Sequence, residues 1–508
     1  MALAAVMLAY FIYAYILQTW NVAAPKIAAD LNGMALYSWS VSIPSLGLAM
    51  GTLLAGKFSD IFGRRAILIA STIISLLSTV LCAISPTFLA LIGARTLLCL
   101  GMGAIAPLCF AVVGDLFVGG ERSKWVGLLN IPFAIPSLFG PTLSGWMVDK
   151  LTWHHIFWWI LPLIFVCILI VYGMPALIMS RDHKIDVLGI ILVTIASSTL
   201  IFGLSFAGTT YPWGSVQVIS LLALSLITWI LFLRYESKTE GPILDPEVFK
   251  NRTFLTASAA GFFSFFGMMG VTLYYPLLMQ GIQGLSAMTS GQIITPFSAL
   301  MALVGVPTGY ILARTKSYKW MYVVGYGMLT AVMGSMIFFG ANTPILWGVI
   351  VSILGGIGQG TIPTLNTVVI QAAVPRRLLG IATGALFFSI AMGMAIAPAI
   401  LGSAMNTRYN SALQATLPSE LSQVADEATM TSLGNPRVLL SEPAMKSLQE
   451  ILLKKDNGAA LLDQTIRAIR TSMEAGLRAV FFIAALTMLL AFLLIVTIPK
   501  VSLEPGKE

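Results

Sequence analysis

Apolar runs of about 20 residues recur along the whole chain, separated by short polar turns. A run of that length crosses the roughly 30 Å hydrocarbon layer of a bilayer as a helix. Turn signals place fourteen such spans, at 2–24, 38–56, 66–84, 88–116, 125–147, 156–179, 187–207, 216–235, 254–279, 290–312, 320–340, 345–372, 380–405 and 476–499. Alternating segments of about ten residues, the signature of a membrane barrel, are absent. The pattern predicts an all-α polytopic membrane protein. The opening run "MALAAVMLAYFIYAYILQTW" lacks the basic leader of a cleavable signal and reads as the first span, retained.

Composition agrees. The 508 residues are 57% hydrophobic and 10% charged, against roughly 25% charged in soluble domains. The net charge of +8 therefore reports orientation and not nucleic-acid binding. With both termini inside, the short inner loops hold Lys57, Arg64, Arg65, Arg122, Lys124, Arg181, Lys184, Lys238, Lys250, Arg252, Arg314, Lys316, Lys319, Arg376 and Arg377, and the short outer loops hold Lys26 and Lys150. That asymmetry predicts a multi-pass plasma-membrane protein with cytoplasmic termini. Most tryptophans fall at span ends, as an interfacial belt requires; Trp229 lies inside a span. The four cysteines lie in apolar runs without metal spacing, and no P-loop occurs, so no metal, cofactor or ATP site is implied.

One stretch breaks the apolar pattern. Residues 56–65, "GKFSDIFGRR", place Gly56, Asp60, Gly63, Arg64 and Arg65 between two spans. A basic loop explains the arginines but not the glycine–acid–glycine spacing. The stretch resembles the loop signature of the major facilitator superfamily. "ARTLLCLGMGAIAPL" (94–108) is similar to that family's fourth-helix motif centred on an arginine, here Arg95. "FGPTLSGW" (139–146) resembles its helix-five motif, with Gly140, Pro141 and Gly145 expected to bend the helix. "TWHHIFWWILPL" (152–163) and "GPILDPEVFKNRTF" (241–254) resemble further family segments. Fourteen spans resemble the drug:proton antiporter branch.

The resemblance implies two six-helix bundles, 1–179 and 254–499, around a substrate path, with 180–253 as an inserted helix pair and linkers and 500–508 as a cytoplasmic tail. It suggests that Asp115 pairs with Arg64 or Arg65 as an inner-gate latch. A degraded copy of the loop signature stands at 309–319, "GYILARTKSYK", without the acid. Within 406–475, Leu462, Ile466, Ile469, Met473 and Leu477 form an apolar stripe, predicting an extracytoplasmic helical segment that runs into the last span.

Polar side chains inside spans are the candidates for contact with a transported molecule, because each is costly in lipid. They are Gln18, Asn21, Arg95, Asn130, Gln359 and Asn366, with helix-to-helix bonding as the competing reading of each amide. The family's helix-one aspartate is missing: aligned on Asn21-Val22-Ala23, that position is Ile16. The remaining carriers for an exchanged proton are Asp30, Asp115 or a group on the substrate. The expected function is secondary transport, exporting lipophilic small molecules by alternating access. Transport of organic anions or other metabolites without proton antiport, and a non-transporting receptor or scaffold, are the alternatives.

Overall fold

The structure is a computed structural model of the chain. It describes every residue except 32–35, 37–38, 176–185, 209–210, 240–241, 419–420, 422–429, 431–432, 435, 437, 441, 454–457 and 500–508, and except the side chains of 21, 22, 25, 29, 141, 149, 287, 440 and 442–444. The expected tail at 500–508, Arg181, Lys184 and the Asn21 side chain thus lie outside the described residues.

Among the described residues the regular structure is helical, with one isolated bridge between Ala207 and Tyr211. The first spans are α1 (Ala2–Asp30), α2 (Trp39–Phe62), α3 (Arg64–Ala83) and α4 (Phe88–Leu116). The fifth is divided into α5 (Gly119–Leu128) and α6 (Asn130–Lys150), and α7 (His155–Tyr172) follows. Next come α8 (Val187–Phe206) and α9 (Val216–Glu236), then the short α10 (Pro246–Lys250). The ninth span begins as α11 (Arg252–Met269) and continues through two π-helical turns around α12 (Tyr275–Leu277). The tenth is α13 (Ala287–Leu303) with α14 (Gly305–Thr315). The rest are α15 (Lys319–Met336), α16 (Ile345–Ala373), α17 (Leu379–Thr416), α18 (Glu442–Leu452) and α19 (Gly458–Val496).

Each of the fourteen expected spans coincides with a helix or a consecutive helix pair. Among the described residues, thirteen runs are long and apolar enough to cross a bilayer. The other, α15, is 18 residues long and carries Lys319, Tyr322, Tyr326 and three glycines. It is packed against α16 and α19.

Helices α1 to α4, α6 and α7 pack on one another, as do α11, α13 and α15 to α17 with α19. The pair α8–α9 packs on itself, with α8 reaching α2 and α17. Trp229, the tryptophan inside a span, meets the Phe388 ring of α17 at 6.4 Å. It is a packing residue at the inserted pair and not part of the belt. The two groups of helices meet along α2 with α17, α5 with α14, and α6 with α13.

Helix five breaks elsewhere than the glycine–proline motif. The interruption falls at Leu129, and α6 runs unbroken through Gly140, Pro141 and Gly145. Pro132 explains the position: it has no N–H to offer the carbonyl of Leu128. A Cβ at Gly140 would meet Gln18 Cβ on α1 at 3.5 Å, an ordinary contact, so packing does not require glycine there. The apolar stripe of 406–475 lies on α19 as predicted, with Ile469, Met473 and Leu477 buried. Helix α17 also continues into that segment, to Thr416, whose hydroxyl lies 3.3 Å from that of Ser472.

Candidate functional site

The stretch 56–65 turns the chain from α2 into α3. Gly63 makes the turn at φ 87°, in the left-handed region that favours glycine. The turn delivers Arg64 to the first position of α3, where it is fully buried. Its Nη1 donates to Asp60 Oδ1 and to Ser59 Oγ, both at 2.5 Å, and its Nε donates to Asp115 Oδ2 at 2.8 Å. Taking a guanidinium out of water costs several kcal/mol, which two carboxylates and a hydroxyl offset here. Arg65 points elsewhere, over the Tyr172 ring of α7 at 5.0 Å.

Asp60 has a second task. Its Oδ2 accepts the N–H of Ile381, in the first turn of α17, at 3.0 Å. The N-cap residue of α17 is Leu378, which has no side-chain acceptor, so an acid on α2 caps a helix of the other bundle. Glycine makes the approach possible. A Cβ on Gly56 would stand 2.6 Å from the carbonyl oxygen of Gly380, and one on Gly384 would stand 2.9 Å from Gly56 Cα. A Cβ on Gly380 would overlap both Asp60 Oδ1 and Arg64 Nη1.

A second contact closes the same end of the molecule. Arg122 of α5 donates to the carbonyls of Phe117 (3.0 Å) and Gly114 (3.0 Å) at the end of α4, and to that of Gln371 (3.2 Å) on α16. Gln371 Nε2 returns across the seam to the Phe110 carbonyl at 3.0 Å. Asn130 Nδ2 reaches Thr364 Oγ1 on α16 at 3.2 Å. The degraded copy at 309–319 keeps its packing role: a Cβ on Gly309 would stand 3.0 Å from Gly127 Cα on α5. Where the acid would fall, Ala313 lies beside Gly120, near the start of α5. One half of the pseudo-symmetric seam therefore has a cross-bundle cap and the other does not.

About two turns along α17 from Ile381, aromatic rings meet across the seam. Phe387 of α17 packs on Phe110 of α4 at 5.3 Å, and Tyr10 of α1 packs on Phe110 (5.4 Å), Phe133 (5.6 Å) and Tyr13 (5.6 Å). Tyr13, Phe133 and Phe387 remain half-buried. Half-buried Gln18 donates to Ser137 Oγ at 3.1 Å.

The other sequence candidates are more enclosed. Asn366 is fully buried, accepting from Tyr322 OH at 2.8 Å. Gln359 is fully buried, with neither end of its amide hydrogen-bonded. Arg95 bonds the Ser40 carbonyl and lies 3.7 Å over the Trp20 ring, within the first bundle. Asp30 is paired with Lys26 at 3.1 Å on the surface. The glycines of "GGIGQGTIP" bring α16 close to its neighbours: a Cβ on Gly356 would stand 2.7 Å from the Phe297 carbonyl oxygen, and one on Gly358 would stand 2.8 Å from that of Gly325. Arg122, Gln371, Ser59 and the aromatic cluster were not singled out by sequence reasoning. The Gly380-x3-Gly384 and Gly305-x3-Gly309 spacings were the available signal for the seam.

Comparison with known proteins gives the same fold. The family model described as Major Facilitator Superfamily matches residues 6–398. The multidrug transporter protein MdtP of Bacillus subtilis is 30% identical over 91% of this chain and 86% of its own length. Multidrug resistance protein 3 of the same organism is 25% identical over 96% of this chain and 92% of its own length. Among solved structures, the human organic anion transporter MFSD10 superposes with a TM-score of 0.62 at 15% identity, covering 97% of this chain and 98% of its own. The family match spans well over half of the chain, and with it the two groups of helices, their seam and the 56–65 stretch have a common explanation: this chain belongs to the Major Facilitator Superfamily of secondary membrane transporters.

Proposed function

We propose that the protein exports lipophilic small molecules across the plasma membrane by alternating access. Residues 1–179 and 254–499 act as two bodies, 180–253 is an inserted pair and its linkers, and both termini are cytoplasmic. The observation that carries this reading is the Asp60–Ile381 bond, a polar contact between the bundles that must break for the basic end to open. With Arg64 and Asp115 it forms the inner latch. Support comes from relatives named as multidrug transporters and from the half-buried rings of Tyr13, Phe133 and Phe387 at the seam. Apolar rings with one amide and one hydroxyl suit a lipophilic ligand held by area and shape, with a few polar contacts fixing its orientation.

The test is flux in proteoliposomes. Purified protein should export a lipophilic dye saturably, and imposing a pH gradient should change the rate if a proton is exchanged. A dye flux equal to that of empty liposomes, for every lipophilic compound tried, would remove the export reading.

A further inference from the structure

Two carboxyl groups are buried at the foot of the α8–α9 pair, outside the latch. Asp186 caps α8, its Oδ1 accepting the Gly189 N–H at 2.8 Å. Glu236 ends α9, its Oε1 accepting the Ile243 N–H at 3.2 Å. The two residues are 6% and 3% exposed. In each, the second oxygen is buried and has no hydrogen-bond partner. The two side chains converge on Gly189, where a Cβ would collide with Asp186 Oδ2 and stand 3.0 Å from Glu236 Oε1.

A third buried charged group lies on α2. Lys57, inside the 56–65 stretch, is 4% exposed and makes no hydrogen bond or ion pair among the described residues. The acids around its ammonium are Asp60, Asp245, Glu236 and Asp186. The groups facing Glu236 are Asp186, Lys57 and the backbone N–H groups of Ile243 and Leu244. Lys57 is thus within the field of the latch acid, of Asp245 and of the carboxyl pair, Asp60 foremost.

Two carboxylates side by side in a dry site cannot both ionise at modest cost. Two orphaned acceptor oxygens carry a desolvation penalty that falls when one of them becomes an O–H donor. We propose that Glu236, buried beside Asp186, is a proton-binding site that holds its proton while the latch is closed, and that release of the proton is transmitted to Asp60 through Lys57. The coupling to transport rests on the export reading above; the protonation does not. On release, the carboxyl O–H breaks and the proton passes to water at the basic end. The pair then carries two negative charges and draws Lys57 away from Asp60. This pulls α2 toward α8 and off α17. Protonation therefore favours the closed latch and deprotonation favours release. This assigns a proton carrier to a chain that lacks the family's helix-one acid, and places it on the inserted pair.

The test uses the full chain reconstituted in lipid. Infrared difference spectra across a pH titration should show one protonated-carboxyl band that disappears as pH rises. That band should be absent in Glu236→Gln, and in Asp186→Asn it should remain but disappear at lower pH, since burial still favours the neutral Glu236 while the neighbouring charge is gone. Spin labels at Phe62→Cys and Arg376→Cys, both exposed and outside the pair and the latch, report the α2–α17 distance; the four native cysteines are buried. The wild-type distance should lengthen on the alkaline side of the same midpoint. In Glu236→Gln, a mimic of the protonated acid, it should stay short at every pH. A wild-type spectrum with no titrating carboxyl band overturns the site without any variant. A band with a pH-independent distance overturns the link through Lys57. Because both readouts need no substrate, failure of dye export leaves this result standing or falling by itself.

Discussion

Asp60 Oδ2, on α2, lies 3.0 Å from the backbone nitrogen of Ile381, on α17. The same carboxylate holds Arg64 through its other oxygen, and Arg64 holds Asp115 at the end of α4. One side chain thus joins the turn of the 56–65 stretch, the end of a neighbouring helix and the start of a helix in the opposite bundle. The contact consists of a single N–H on a helix end, a group that water can also satisfy.

Asp60→Asn removes the charge that holds Arg64 and weakens the cap on α17. Couplings of about 1–3 kcal/mol shift a two-state equilibrium by roughly 5- to 150-fold. Dye flux in proteoliposomes should fall by a factor in that range, with expression and membrane insertion near normal. Wild-type flux from this variant would reduce the stretch to an ordinary basic loop.

Gly380→Ala tests the same contact from the other side. Its new Cβ overlaps Asp60 Oδ1 and Arg64 Nη1, so the ion pair must move or the bundles must part. The spin-label distance between α2 and α17 should increase and flux should drop. Gly93→Ala is the control: nothing lies within 4 Å of a Cβ there, and the helix should gain up to about 1 kcal/mol in propensity. Equal behaviour of the two variants would show that the glycine seam does not matter.

Sidedness is checked by labelling. Lys57 is a poor probe site because it is buried in this state, whereas position 62 is 48% exposed and Arg376 is exposed. Cysteines at Phe62 and Arg376 should react only with reagents that enter the cytoplasm, and one at Lys150 should react from outside. Reaction of Lys150→Cys from the cytoplasmic side would invert the orientation.

The aromatic cluster at the seam carries no carboxylate, which predicts a limit on substrate charge. No acid occurs between Glu247 and Glu420, and the rings at the seam offer only about 0.5–2 kcal/mol per cation contact. That is small beside the cost of desolvating a second charge. Matched monovalent and divalent dyes should therefore differ, with neutral and monovalent compounds exported and dications left behind. Saturable export of the dication would show that an acid from elsewhere reaches the path.

Much of the architecture was legible in the order of residues. Span length against bilayer thickness locates the helices, and a basic excess on one set of loops predicts their sidedness; both are properties of each segment alone. The Gly-x3-Asp-x2-Gly-Arg-Arg spacing by itself also points to a structured turn. What needed tertiary structure was partner choice. Arg64 and Arg65 are adjacent and chemically identical, yet Gly63 and the start of α3 send one into the buried network and leave the other over Tyr172. Pro132, and not Gly140–Pro141, decides where helix five breaks, because the carbonyl that loses its donor lies four residues back. Asp186 and Glu236 are fifty residues apart in the chain, at ends of helices that looked like ordinary water boundaries. Only the packing of α9 on α8, and of α8 on α2, buries both near Lys57, since burial is a property of neighbours and not of a residue's place along its own helix.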